Sequence, residues 1–217
     1  MIEMKLIYHI QTMLLCACVF TFAQPVHQLP FASTNNTIEL AIHNSSTVTA
    51  SRVKVEATNV PVWIRFTSTE QTITQLKGKE NATTAFSFSV DKTAPINKPQ
   101  TLTFKIISST GEVWTKQLSI AVAPPEKFEL YQNYPNPFNP TTTISYQLPS
   151  DSKVKMIIYN TLGQEIATLF DGIRSAGYYQ EVWNARSVAS GMYIYQIATE
   201  TSAGKKEIAR KTMLLIK

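Results

Sequence analysis

The sequence predicts an all-β protein built as two consecutive antiparallel β-sandwiches. Three observations carry this. Apolar residues recur at every second position from residue 37 onward, turn-forming clusters separate these runs, and no stretch after residue 23 has a helical period. A residue recurring with period two lies on one face of a strand, so each run offers one apolar face to a core. Hydrophobic residues make up 44% and charged residues 16%, which excludes both a disordered polyelectrolyte and a charged helical rod. The net charge of +5, from 20 Lys+Arg against 15 Asp+Glu, is too even to argue for nucleic acid, and no such partner is expected.

Residues 1–23 read as a signal peptide. Met4 reads as the true start, with Lys5 as the positive end, and an apolar run follows from Met13 to Phe22. It ends Thr21-Phe22-Ala23 before Gln24-Pro25, so cleavage is expected between Ala23 and Gln24. A spanning helix needs roughly 20 apolar residues, and His9, Gln11 and Thr12 interrupt any longer run. Leu15-Cys16-Ala17-Cys18 loosely resembles a lipoprotein cleavage box, but a cut there would leave Val19-Phe20-Thr21-Phe22 beside the lipid with no evident use. Cleavage after Ala23 removes both cysteines, which excludes disulfides, thiolate zinc sites and cysteine nucleophiles from the mature chain.

Residues 24–36 then read as an irregular leader and 37–122 as the first sandwich. Its alternating runs are Ile38, Leu40 and Ile42; Val53, Val55 and Ala57; Val62, Ile64 and Phe66; Phe86, Phe88 and Val90; Leu102, Phe104 and Ile106; and Leu118, Ile120 and Val122. Asn44-Ser45-Ser46, Lys77-Gly78-Lys79, Pro95-Ile96-Asn97 and Thr110-Gly111 punctuate them. Short strands at this spacing suit an immunoglobulin-like sandwich. Residues 123–133, opening Ala123-Pro124-Pro125, read as a stiff Pro-rich linker, because adjacent prolines remove two ladder donors. Residues 134–217 repeat the same grammar. Strands are expected around Ile144, Tyr146 and Leu148, around Val154, Met156 and Ile158, and at residues 178–183, 192–199 and 208–216.

The stretch Tyr134-Pro135-Asn136-Pro137-Phe138-Asn139-Pro140 is stiff, with asparagines able to close turns on their own backbone. With Tyr159, Leu162 and Gly163, then Gly177 and Trp183, then Ser190, Gly191 and Tyr193, and finally Lys211 to Lys217, it forms ordered blocks over the last ninety or so residues. These blocks resemble the type A C-terminal sorting domain of proteins exported by the type IX secretion system. They also resemble, more loosely, the immunoglobulin-like domain of flagellar hook-capping proteins.

The resemblance implies a chain that uses the general secretory translocase and signal peptidase. It then passes through the periplasm and is recognised by an outer-membrane translocon. It implies trimming by a sortase-like peptidase and attachment to surface lipopolysaccharide, with the exposed 124–133 region as the natural place for the cut. The expected destination is the exterior or the outer cell surface. The first sandwich resembles the immunoglobulin-like modules that precede sorting domains, through Val60-Pro61-Val62-Trp63, Ala94-Pro95-Ile96-Asn97 and Gly111-Glu112-Val113-Trp114.

Two side-chain groups invite sharper readings. Trp63 is out of phase with its neighbours and is expected to face outward beside Arg65, as a glycan-stacking contact, although tryptophans in small sandwiches more often pack in the core. Lys205, Lys206, Arg210, Lys211 and Lys217 form a basic terminus. They suit the export machinery or anionic lipopolysaccharide, and equally an edge strand guarded against aggregation. His27 and His43 lack a nucleophile elbow, carboxylates are scattered, and no phosphate, calcium or zinc motif is present. The chain is therefore expected to be non-enzymatic and free of cofactors and metals. An adhesive or carbohydrate-binding role for the first sandwich is the alternative function.

Overall fold

The computed structural model describes the backbone course of Ile2–Ile7 and residues 25–217. The signal-peptide reading, with its cut between Ala23 and Gln24, otherwise lies outside the described residues. The chain divides into two compact units, Met1–Ala123 and Pro124–Lys217. The described residues contain strands and no helix, and all but one of the strand pairings are antiparallel, so the all-β expectation holds.

Unit 1 contains β1 (Ile2–Ile7), β2 (Val26–Leu29), β3 (Asn36–Asn44), β4 (Ala50–Thr58), β5 (Ile64–Phe66), β6 (Glu70–Leu76), β7 (Asn81–Val90), β8 (Gln100–Ile107) and β9 (Val113–Val122). One sheet has the order β1-β3-β7-β5 and the other β2-β9-β8-β4-β6. The alternating apolar residues of β3 and β7 meet those of β4, β8 and β9 in one core, and Phe86 and Phe104 touch across it at 5.1 Å.

Four expectations need correction here. Residues 24–36 are not an irregular leader throughout, because Val26–Leu29 pairs in parallel with β9 and buries Leu29. One buried residue in four gives no period to detect. β6 was not expected either: it is an edge strand, and only Leu76 on it is buried. Trp63 is 3% exposed and Val62 is 97% exposed, the reverse of the expected orientation. Pro61-Val62-Trp63 is a turn closed by the Ile64 N–H on the Pro61 carbonyl (2.9 Å), so alternation restarts only at Ile64. The Trp63 Nε1 donates to Gln100 Oε1 at 3.2 Å, while Arg65 lies exposed near Asp91 at 3.8 Å. The two do not form a surface platform.

Unit 2 contains β10 (Glu129–Leu130), β11 (Thr141–Leu148), β12 (Ser152–Asn160), β13 (Glu165–Arg174), β14 (Gly177–Asn184), β15 (Gly191–Thr201) and β16 (Lys206–Leu215). Sheets β10-β11-β14 and β13-β12-β15-β16 enclose a second core that includes Ile144, Tyr146, Met156, Trp183, Tyr195 and Met213. The fourth correction is the linker. Glu129 and Leu130 pair with β11, and Leu130 and Asn133 are buried, so the far end of 123–133 belongs to unit 2. Glu126, Lys127 and Gln132 are its exposed residues.

Candidate functional site

The Pro-rich stretch between β10 and β11 is pinned from within. Asn133 is buried. Its backbone N–H donates to Tyr195 Oη (2.9 Å), and its Nδ2 donates to the Pro135 carbonyl (3.0 Å) and to Thr142 Oγ1 (2.9 Å). Tyr195 in turn donates its hydroxyl to the Tyr131 carbonyl at 2.9 Å. Thus one buried phenol ties together the backbone on both sides of Gln132. Burial pushes the Tyr195 hydroxyl up to about 12, since its anion would lie in the core, and the Asn133 N–H only partly offsets this. Burial, then Glu181, also pushes the Tyr146 hydroxyl well above its ordinary range.

The same stretch then closes onto the last strand. Phe138 donates its N–H to the Leu214 carbonyl (3.0 Å) and accepts the Ile216 N–H (3.0 Å). Asn136 Oδ1 accepts the Leu214 N–H at 2.9 Å, and Gln132 Nε2 donates to the Thr212 carbonyl at 2.8 Å. These four bonds cover one end of the outer edge of β16 with a segment whose prolines cannot extend a sheet. The Phe138 side chain is buried against Trp183 (5.5 Å), which meets Tyr193 edge-on at 5.2 Å. Lys217 completes the closure: its N–H donates to Ser190 Oγ (3.1 Å) and its Nζ to the Arg186 carbonyl (2.8 Å).

The structure therefore brings Asn136, Phe138, Trp183, Ser190, Tyr193 and Lys217 together at one end of unit 2. Pro140 joins them through its carbonyl, which accepts the Ala185 N–H at 2.8 Å. Tyr134, Pro135, Pro137 and Asn139 form the exposed outer side of this loop. Gly191, at φ 150°, opens β15 in a backbone conformation that other residues rarely adopt. Tyr159, Leu162 and Gly163 lie apart, at the β12–β13 turn, where Asn160 Oδ1 accepts the Leu162 and Gln164 N–H groups at 3.0 Å. Gly177 begins β14, and Lys211 is half-buried opposite Tyr195 on β15. Gln132, Asn133, Thr142 and Tyr195 supply the connections that hold the loop, and they lie in or beside the motif stretches without being among the expected site residues. The available signal was an asparagine directly before the Pro-rich segment, a residue type able to close turns on nearby backbone.

Elsewhere in unit 2, Arg174 bonds Glu181 at 3.0 Å and lies over the Phe170 ring at 4.0 Å, and Tyr146 Oη donates to the same carboxylate at 3.2 Å. Among the described residues no three His, Cys, Asp or Glu side chains cluster as metal ligands would, and no helix is long and apolar enough to cross a membrane. The arrangement offers a rigid loop and a basic edge to a partner.

Residues 132–211 match the family model of the secretion system C-terminal sorting domain, in agreement with the resemblance read from the motifs. No curated protein matches the chain. Among solved structures, dimeric latent PorU from Porphyromonas gingivalis is similar at 11% identity and TM-score 0.35, over 99% of this chain and 20% of that one. The YadV chaperone is similar at 8% identity and TM-score 0.30, over 87% and 98%. The secreted serine protease VesC from Vibrio cholerae follows at 10% and 0.31, over 87% and 48%. The chain thus spans about a fifth of PorU and about half of VesC. The sorting-domain match supports export, to the exterior or to the cell surface.

Proposed function

We propose that the protein is a non-enzymatic secreted or surface protein whose second unit is the folded label read by the type IX outer-membrane translocon. The observation that carries this reading is the match of residues 132–211 to the sorting-domain family, a span that includes the loop residues Gln132, Asn136 and Phe138. In this reading residues 1–23 direct the chain to the general secretory translocase and are removed by signal peptidase. Unit 2 folds in the periplasm and engages the translocon through its loop and basic edge. A sortase-like peptidase cuts at Glu126-Lys127, an exposed pair of neighbours in the inter-unit segment. The lysines of the terminus face the machinery or anionic lipopolysaccharide. The glycan-binding alternative loses its proposed platform with the burial of Trp63.

The test is fractionation of cells that produce the full chain, with and without the outer-membrane translocon. The protein is expected at the surface or in the medium only when the translocon is present, and in the periplasm otherwise. Equal surface amounts in both strains would refute the reading.

A further inference from the structure

We propose that removal of residues 1–23 opens one edge of unit 1, and that a second copy of the mature chain fills it, joining the two sheets through β3 in an antiparallel dimer. This rests on the reading of residues 1–23 as a cleaved signal peptide.

β3 has β7 on one side and β1 on the other, with Ile2 opposite Asn44 and Ile7 opposite Glu39. The Asn44 N–H and carbonyl point to the β7 side, toward Glu80 (2.9 Å) and Lys79 (2.8 Å). Backbone groups alternate sides along a strand, so Thr37, Glu39, Ala41 and His43 turn theirs toward β1. Cleavage after Ala23 takes β1 away. Only Gln24 and Pro25 then precede β2, which is committed to β9 on the other sheet. The mature unit is left with an unpaired row of donors and acceptors over a nine-residue strand.

This edge lacks the protection that β6, β13 and β16 carry at theirs. β16 is covered at one end by Asn136 and Phe138 and carries Lys206 and Arg210 at the other. β6 carries Glu70, bonded to Lys54 at 2.7 Å. β13 is bent by register shifts against β12. β3 has no proline, no lysine and a regular register with β7.

The occupant is argued from self-complementarity. A two-fold axis at Ala41 sets each Glu39 against His43 of the other copy, twice by symmetry. On the inner face it sets Leu40 against Ile42, which continues the apolar layer. Glu39, Ala41 and His43 fall opposite outward-facing positions, so the central ladder is satisfied, and Thr37 lies beyond the paired stretch. Shifting the axis to Glu39 would oppose two carboxylates, which disfavours that register. The contact is isologous and closes at two copies.

The test begins with the full chain exported and recovered, its intact mass measured, and its association followed by sedimentation equilibrium. A mass beginning at Gln24 with reversible dimerisation is expected. Ala41→Lys, which opposes two ammonium groups on the axis, should weaken the dimer at least about fivefold while leaving circular dichroism unchanged. His43→Glu should weaken it similarly, and adding Glu39→Lys to it should restore association. A Gln24-starting chain that stays monomeric, or a dimer indifferent to all three variants, overturns the proposal. A mass that retains residues 1–23 instead refutes the signal-peptide reading beneath it.

Discussion

The carboxamide oxygen of Asn136 accepts the backbone N–H of Leu214 at 2.9 Å, across 78 residues of sequence. A side chain thus occupies the place that a neighbouring strand would otherwise take. With the Phe138 bonds beside it, the Pro-rich loop becomes a cap on the final strand that no further strand can displace without breaking a network. A fixed strand edge in a small domain gives a partner a single shape to read.

Asn136→Ala should therefore cost unit 2 about 0.5–1.5 kcal/mol, the net worth of one hydrogen bond to backbone. Hydrogen exchange at Leu214 should accelerate, because its N–H loses its partner, while the amides of β12 stay protected. Unchanged exchange at Leu214 would show that the cap does not depend on this bond.

Tyr195→Phe should be more damaging, at about 1–3 kcal/mol, because it strands both the Asn133 N–H and the Tyr131 carbonyl in a buried place. The wild-type phenol also sets an alkaline limit. Its folded value is raised to about 12 from 10.0, so the folded state holds the proton more tightly than the unfolded chain does. This contribution is complete below about pH 10 and is lost as pH rises toward about 12. Melting of unit 2 against pH should fall in that window, and the fall should be shallower in Tyr195→Phe.

The strands that sequence made legible are those with one face in a core. Ile38-Leu40-Ile42 and Leu102-Phe104-Ile106 alternate because their partners lie on the opposite sheet. β2 and β6 escaped notice because each sits at a sheet edge with a single buried residue, Leu29 or Leu76. Trp63 departs from strand alternation because it lies in the turn that the Ile64 N–H closes on the Pro61 carbonyl. In unit 2 the motif blocks marked the right loops, but pairing of Phe138 with Leu215 is a long-range fact that no local pattern records.

Trp63→Ala should destabilise unit 1 by about 3–5 kcal/mol, the usual cost of deleting a large core aromatic. Trp63→Phe should cost less, since it keeps most of the buried ring and loses the bond to Gln100. Calorimetry that resolves the two units would check this, with the unit 2 transition unmoved.

Gly78→Ala tests a close approach rather than a core. A Cβ at Gly78 would lie 2.4 Å from both the carbonyl carbon and oxygen of Thr47, so the turn preceding β7 must shift. A loss of about 1–3 kcal/mol in unit 1 is expected, as for other overpacked sites. An unchanged melting temperature would mean that the 45–48 loop yields freely.

The last prediction separates a label read as a shape from one read as exposed side chains. Gln132→Ala with Asn136→Ala removes two of the bonds that hold the loop to the final strand, at Thr212 and Leu214. Leu162→Ala removes a side chain that is 81% exposed at a distant turn and touches neither. If the translocon reads the latched edge, the double variant should lower the surface-exposed fraction of the full chain, measured by protease accessibility on intact cells. Leu162→Ala should leave it near wild type. The reverse ranking would place recognition at the β12–β13 turn, where Leu162 stands clear of the fold and the latch plays no part.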